Sequence, residues 1–135
     1  MSQDRRYLRP GWLVSRVVNP VLMRLGVIPT LAVRGRTSGA WRTVPVNVVE
    51  LDGRRYLVAP RGDTQWARNL RAAGRGELRG RSRREAFRAV EIPSAEKPRV
   101  IEAYLARWGY QVGRYFTALP DPGDHPVFRI EPGEG

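Results

Sequence analysis

The chain contains no cysteine, so neither a disulfide nor a thiolate metal site is available to it. It has one histidine, His125, and one lysine, Lys97. A single imidazole and scattered carboxylates give no metal-ligand spacing, and no metal is expected. Nothing marks a nucleophile elbow that would pair with His125 in a Ser–His–carboxylate triad. No apolar run approaches the roughly 20 residues of a membrane span. The apolar stretch after Arg5, Arg6 and Arg9 is broken by Ser15, Arg16, Asn19 and Pro20, which is not a signal-peptide pattern. With 135 residues, one domain is expected, spanning 1–135 and cytoplasmic in address.

What the chain has in excess is arginine. All but one of its 24 basic residues are Arg, against 13 acidic residues, for a formal net charge of +11. A codon bias would explain Arg in place of Lys, but not the surplus over Asp and Glu. The surplus predicts an anionic partner: nucleic acid, acidic membrane or a polyanionic small molecule.

Residues 10–26 read as a helical segment, with Leu13, Val14, Val17, Val18, Val21, Leu22 and Leu25 at three- and four-residue steps. Asn19-Pro20 divides it, as a cap followed by a first-turn proline would. Core packing is one use of this segment. Peripheral contact with the inner face of the membrane, through Arg16 and Arg24, is another. Thr30 to Arg34 is β-prone, 36–40 is a turn with Gly39 free to take positive φ, and Trp41 to Leu51 reads as one Val-rich strand. In it Val44, Val46 and Val48 share a face, and Pro45 marks an edge or a bulge. Asp52-Gly53 is a hairpin turn leading into a strand at 55–60. A helix from Gln65 to Ala73, capped by Asp63 or Thr64, ends at Gly74. Strands at 77–81 and 84–92 follow, then a helix capped by Ser94 and running to about Trp108. Residues 109–125 look loop-like, before a last strand at 127–130. The sum is an α+β domain: about six mostly antiparallel strands forming a small barrel, with flanking helices.

Three stretches carry chemistry. The turn Gly35-Arg36-Thr37-Ser38-Gly39, with Arg42 just beyond it, gathers N–H groups, two hydroxyls and guanidinium groups, all donors to phosphate oxygens. It also reads as an ordinary polar hairpin. Ala59-Pro60-Arg61-Gly62-Asp63 joins a strand to a helix start, where Arg61 and free N–H groups favour an anion. In Trp66-Ala67-Arg68-Asn69-Leu70, Trp66 and Asn69 share one helical face, suited to ring stacking and hydrogen bonding or to plain core packing. The basic run Arg75, Arg79, Arg81, Arg83, Arg84, Arg88 reads as the solvated face of a hairpin. No nucleic-acid-binding signature accompanies it, and no nucleic acid partner is expected.

Taken in order, Thr30-Leu31-Ala32-Val33-Arg34-Gly35-Arg36-Thr37-Ser38-Gly39, Arg42-Thr43-Val44-Pro45-Val46, Arg61-Gly62, Trp66-Ala67-Arg68-Asn69-Leu70-Arg71 and the closing His125-Pro126-Val127-Phe128-Arg129-Ile130 resemble the deazaflavin-dependent nitroreductase family of actinobacteria. The resemblance implies a split β-barrel and the deazaflavin coenzyme F420, whose phosphate and polyglutamate tail suit a basic groove. It implies that Arg36, Thr37, Ser38 and Arg42 hold phosphate and tail, with Arg61 and Arg68 adding charge. Thr43, Val44, Pro45, Val46 and Asn47 would run beside the ring, with Pro60 before the basic position, and Trp66 and Asn69 would close the site. Thr37 stands where Lys or Arg is common in the family, Pro60 replaces a small hydroxyl residue, and Asn47 replaces a tyrosine. The region near Tyr110 and Tyr115 matches poorly. The implied reaction is hydride transfer to a small-molecule acceptor: a quinone, an enone or a nitro compound. Asn47, Tyr110 and Tyr115 are candidates to donate a hydrogen bond to the acceptor. FMN on the same barrel is the alternative cofactor. A non-catalytic binder of nucleic acid or acidic membrane is the alternative function. Monomer and homodimer both remain open.

Overall fold

A computed structural model describes residues 29–80 and 83–133. The helical segment expected at 10–26 lies outside them, as does any membrane contact through it. The described chain runs β1 (Thr30–Arg34), β2 (Trp41–Pro45), β3 (Val48–Leu51), β4 (Arg54–Val58), α1 (Gln65–Ala73), β5 (Arg75–Arg79), β6 (Arg84–Glu91), α2 (Lys97–Ala118) and β7 (Val127–Pro132). All strand pairs are antiparallel, in the order β2-β1-β5-β6-β7-β4-β3.

That order closes the sheet. β2 and β3 lie at opposite edges, yet only Val46 and Asn47 separate them in sequence. Three Cα steps reach about 11 Å at most. Seven flat strands would place their edges about 29 Å apart. The sheet therefore curls until its edges nearly meet at Pro45–Val48, giving a split β-barrel. The single strand expected over 41–51 is thus two. Pro45 ends β2, opposite Thr30, and the Val46 N–H turns to the Pro29 carbonyl (3.1 Å). The Val44, Val46 and Val48 face survives the break: Val46 is buried in the barrel interior, and the other two pack against the same cluster.

Strand alternation sorts the apolar residues into two cores. Leu31, Val33, Leu57, Leu78, Phe87, Phe128 and Ile130 point into the barrel, where Trp66, Ala67 and Leu70 of α1 meet them. Val49, Tyr56, Val58 and Val127 point outward and are covered by Val100, Ile101, Tyr104, Val112 and Phe116 of α2. Truncating an interior residue such as Leu57, fully buried, should cost about 2–5 kcal/mol. Across the barrel, Arg55 of β4 pairs with Glu85 of β6, and the guanidinium holds that carboxyl below the ordinary glutamate value.

α2 corrects the loop expected from residue 109. The helix continues to Ala118, because Val112 and Phe116 extend the buried row of Val100, Ile101 and Tyr104. Gly109 and Gly113 mask this row in the sequence; each costs roughly 1 kcal/mol of helix propensity. Packing against the sheet outweighs that cost. The 3-10 turn at Ser94–Glu96 leads into α2, with Pro98 in its first turn, where no N–H is needed.

His125 is wholly buried. Its Nδ1 lies 3.1 Å from the Ala59 carbonyl and its Nε2 2.6 Å from that of Leu119, with the ring stacked on Phe116 at 4.1 Å. It ties the chain before β7 to the segment after β4 and to the end of α2, which is a structural task.

Candidate functional site

The β1–β2 turn is built tightly. The Gly35 N–H donates to the Ala40 carbonyl (2.8 Å), the Gly39 N–H to the Gly35 carbonyl (2.9 Å), and the Ala40 N–H to Ser38 Oγ (3.2 Å). Gly39 takes φ 75°, and a Cβ at Gly35 would stand 3.0 Å from Ser38 Oγ and 3.6 Å from Arg42 Nε. The turn thus brings Ser38 and Arg42 close to the Gly35 backbone, and a side chain at 35 would press on the Ser38 hydroxyl.

Opposite it, the segment after β4 turns through Gly62 (φ 100°) into α1. Gly74, at φ 73°, ends α1 with its N–H on the Leu70 carbonyl (2.8 Å). Asn69, buried on α1, bridges the two walls. Its Oδ1 accepts from both the Arg36 N–H (3.1 Å) and Arg36 Nη1 (2.8 Å). A buried carbonyl oxygen with two donors fixes the arginine turn over the helix.

Between these walls lies a cavity of about 540 Å³, within the range of small-molecule sites. Gly35, Arg36, Thr37, Ser38, Arg42, Thr43 and Val44 line the hairpin side, with Val33 beneath. Arg61, Thr64, Gln65, Trp66 and Asn69 line the helix side. In the lining stand three guanidinium groups and, among the described residues, no carboxylate. Among the described residues Arg36 contacts only the neutral Asn69, and Arg42 and Arg61 form no ion pair. The described lining therefore carries positive charge that no carboxylate compensates.

Nine of the residues singled out from sequence meet here: Arg36, Thr37, Ser38, Arg42, Thr43, Val44, Arg61, Trp66 and Asn69. Trp66 is nearly buried, tilted on Phe128 with ring centroids 6.3 Å apart, and contributes to the cavity wall. Five residues stand outside the lining. Pro45, Val46 and Asn47 form the barrel seam, Pro60 precedes Arg61, and Arg68 pairs with Asp63 (3.3 Å). Asn47 faces α2: its Nδ2 donates to Gln111 Oε1 (3.0 Å), near Tyr104, whose hydroxyl burial pushes well above the ordinary tyrosine value. Tyr110, largely exposed, and Tyr115, held by Arg114 (3.1 Å), belong to that same outer side. Sequence missed Val33 and Gln65, and took Thr64 only for a cap. Their position at the end of a buried strand and at a helix start beside Arg61 was the available signal.

Comparison with known proteins gives the fold and the family. Among solved structures, an F420-H2 dependent reductase (FDR-A) is 24% identical, covering 77% of this chain and 93% of its own, with a TM-score of 0.58. A structure described as a domain-swapped dimer is 22% identical over 91% of this chain and 100% of that one (TM-score 0.60). A protein of unknown function from Agrobacterium tumefaciens is 24% identical over 94% of this chain (TM-score 0.62), and the chain spans 56% of that protein's length. At these identities the structures show a shared fold. No curated protein matches. Residues 12–118 match the F420H(2)-dependent quinone reductase family, so the chain belongs to that family and is an F420-dependent oxidoreductase.

Proposed function

We propose that this protein reduces a quinone with F420H2, holding the cofactor's phosphate and acidic tail between the arginine turn and the start of α1. The observation that carries the proposal is the cavity lined by Arg36, Arg42 and Arg61, without a carboxylate among the described residues. Guanidinium forks and the hydroxyls of Thr37 and Ser38 suit phosphoryl and carboxylate oxygens. Thr43, Val44 and Trp66 of the lining would lie beside the ring. Pro45 and Val46 continue from them at the seam, Asn47 turns from it toward α2, and Pro60 and Arg68 support the helix-side wall from outside the lining.

When bound, the reduced deazaflavin supplies the hydride. The chain's own task is to bind both partners with the reacting atoms roughly 3–3.5 Å apart and to keep water from between them. Asn47, Tyr110 and Tyr115 lie on the α2 side of the barrel, so solvent is assigned as the proton source for the reduced quinone. A homodimer is part of this proposal, supported by the relative described as a domain-swapped dimer; light scattering after gel filtration tests it. Anaerobic mixing with F420H2 and a soluble naphthoquinone should restore the absorbance of oxidised F420 in proportion to protein. Absence of quinone-dependent oxidation, with nitroaromatic or enone acceptors active instead, would reassign the acceptor.

A further inference from the structure

The outer face of β2-β1-β5-β6 lies apart from the cavity. Strand alternation turns Leu31, Val33, Leu78 and Phe87 into the barrel. Arg34 of β1, Trp41 of β2, Arg75 and Arg79 of β5, and Arg84 and Arg88 of β6 therefore point the other way. Of the described helices, α2 covers β3, β4 and β7 and α1 packs into the interior, so neither shields this face. Its charges oppose folding. Within the β5–β6 hairpin Arg75 stands opposite Arg88, and Arg79 opposite Arg84. Like charges directly opposite destabilise a strand pair. Two carboxylates relieve this only in part: Glu77 takes Arg79 (3.0 Å), and Glu131, already bonded to Arg129, stands 3.9 Å from Arg88. Arg34, Arg75 and Arg84 form no ion pair among the described residues. Trp41 belongs to the same face. It is 41% exposed, although the Arg34 guanidinium lies 4.3 Å from its ring centroid and that of Arg79, reaching across β1, lies 5.2 Å from it. Arg34 Nη1 also donates to the Gly39 carbonyl (3.0 Å), which fixes that guanidinium beside the indole.

We infer that this sheet face binds single-stranded nucleic acid, with bases stacked at Trp41 and Arg34 and phosphates held by Arg75, Arg84 and Arg88. Guanidinium groups fork phosphate oxygens, so a bound strand supplies the anions that the opposed arginines lack. Unstacked bases pack on aromatic rings and guanidinium planes, whereas the carboxylates of an acidic peptide gain little from an indole. An antiparallel sheet with one open face also accommodates an extended strand laid across it. No sequence motif announces this, because the six side chains come together only when four strands pair. The face shares none of them with the cavity lining, and its occupancy does not depend on the cofactor.

The test uses the full chain and a fluorescein-labelled oligouridine, followed by anisotropy at several salt concentrations, with an oligoglutamate peptide and phosphatidylglycerol vesicles as competitors. Wild type should bind oligouridine at about micromolar concentration in low salt. Arg75→Ala with Arg84→Ala should lower the slope of log affinity against log salt by about 1.4, the share of two phosphate contacts to a single strand. That variant should melt at the wild-type temperature or higher, because each substitution removes one member of a like-charge pair, and its response to F420 should match wild type. Trp41→Leu should weaken oligouridine binding about tenfold and leave the salt slope unchanged. Should Trp41→Leu fail to fold, the arginine variant decides. Oligouridine that does not bind, or that binds the arginine variant with wild-type affinity and slope, would overturn the proposal. Full affinity in a folded Trp41→Leu, or displacement of oligouridine by oligoglutamate or vesicles at equal charge, would overturn it too and leave a surface for any polyanion.

Discussion

Two sets of arginines in this protein differ in company. On the sheet and the helices, Arg55, Arg71, Arg79, Arg99 and Arg129 each meet a carboxylate: Glu85, Glu91, Glu77, Asp52 and Glu131. Around the cavity, Arg36, Arg42 and Arg61 meet none among the described residues. The first group solvates and ties the surface, where each exposed pair contributes little. The second concentrates unbalanced charge in a concave, partly apolar space, where a polyanionic ligand gains the most. The net charge of +11 does not by itself mark the site, since Arg34, Arg107 and Arg114 also meet no carboxylate among the described residues and lie outside the cavity lining; what sets Arg36, Arg42 and Arg61 apart is that they share one concave space.

Removing cavity charge should have the largest effect. Arg36→Ala with Arg42→Ala should weaken F420 binding at least about a hundredfold, since two charge-assisted contacts disappear, and should flatten the salt dependence of the affinity. Fluorescence titration at two ionic strengths measures both. Adding one carboxylate at the cavity wall comes next. Asn69→Asp still accepts from Arg36 but neutralises it, and should weaken binding by about tenfold, more than Asn69→Ala does; the reverse order would mean that Asn69 serves only to hold the turn.

The paired arginines supply the contrast. Arg55 holds the Glu85 carboxyl below its ordinary value, so this pair's stabilisation is present above the unfolded glutamate pKa of about 4.3 and is lost as pH falls through the lower folded value. Glu85→Gln should therefore flatten the acid limb of a melting-temperature profile while leaving F420 affinity unchanged. The smallest effect belongs to Arg99→Ala. Its pair with Asp52 is exposed on both sides, so stability should fall by no more than about 1 kcal/mol and F420 affinity should not move. A loss of affinity in Arg99→Ala comparable to that in the cavity variants would erase the distinction between the two groups.

Much of this was legible in the sequence because it rests on local rules. Gly39, Gly53 and Gly74 take positive φ where turns and a helix end were expected, and the Val44, Val46 and Val48 face reports the barrel interior. What failed was non-local. The division of Trp41–Leu51 into two strands is imposed by ring closure, which brings together edges that share no local signal beyond Pro45. The length of α2 depends on burial against β3 and β4, which overrides two glycines. In the site, the arginine turn and Arg61 were visible as residue types. The bond from Arg36 to Asn69, 33 positions apart, and the unpaired Thr64 hydroxyl exist only once α1 folds back over β1.

The most direct test of the carboxylate-free cavity as the cofactor site is an equilibrium titration of the wild-type protein with F420, with FMN as competitor. Saturable binding at micromolar F420, weakened by salt and not displaced by equimolar FMN, is the expected result. No optical response to F420, or displacement of F420 by equimolar FMN, would contradict it.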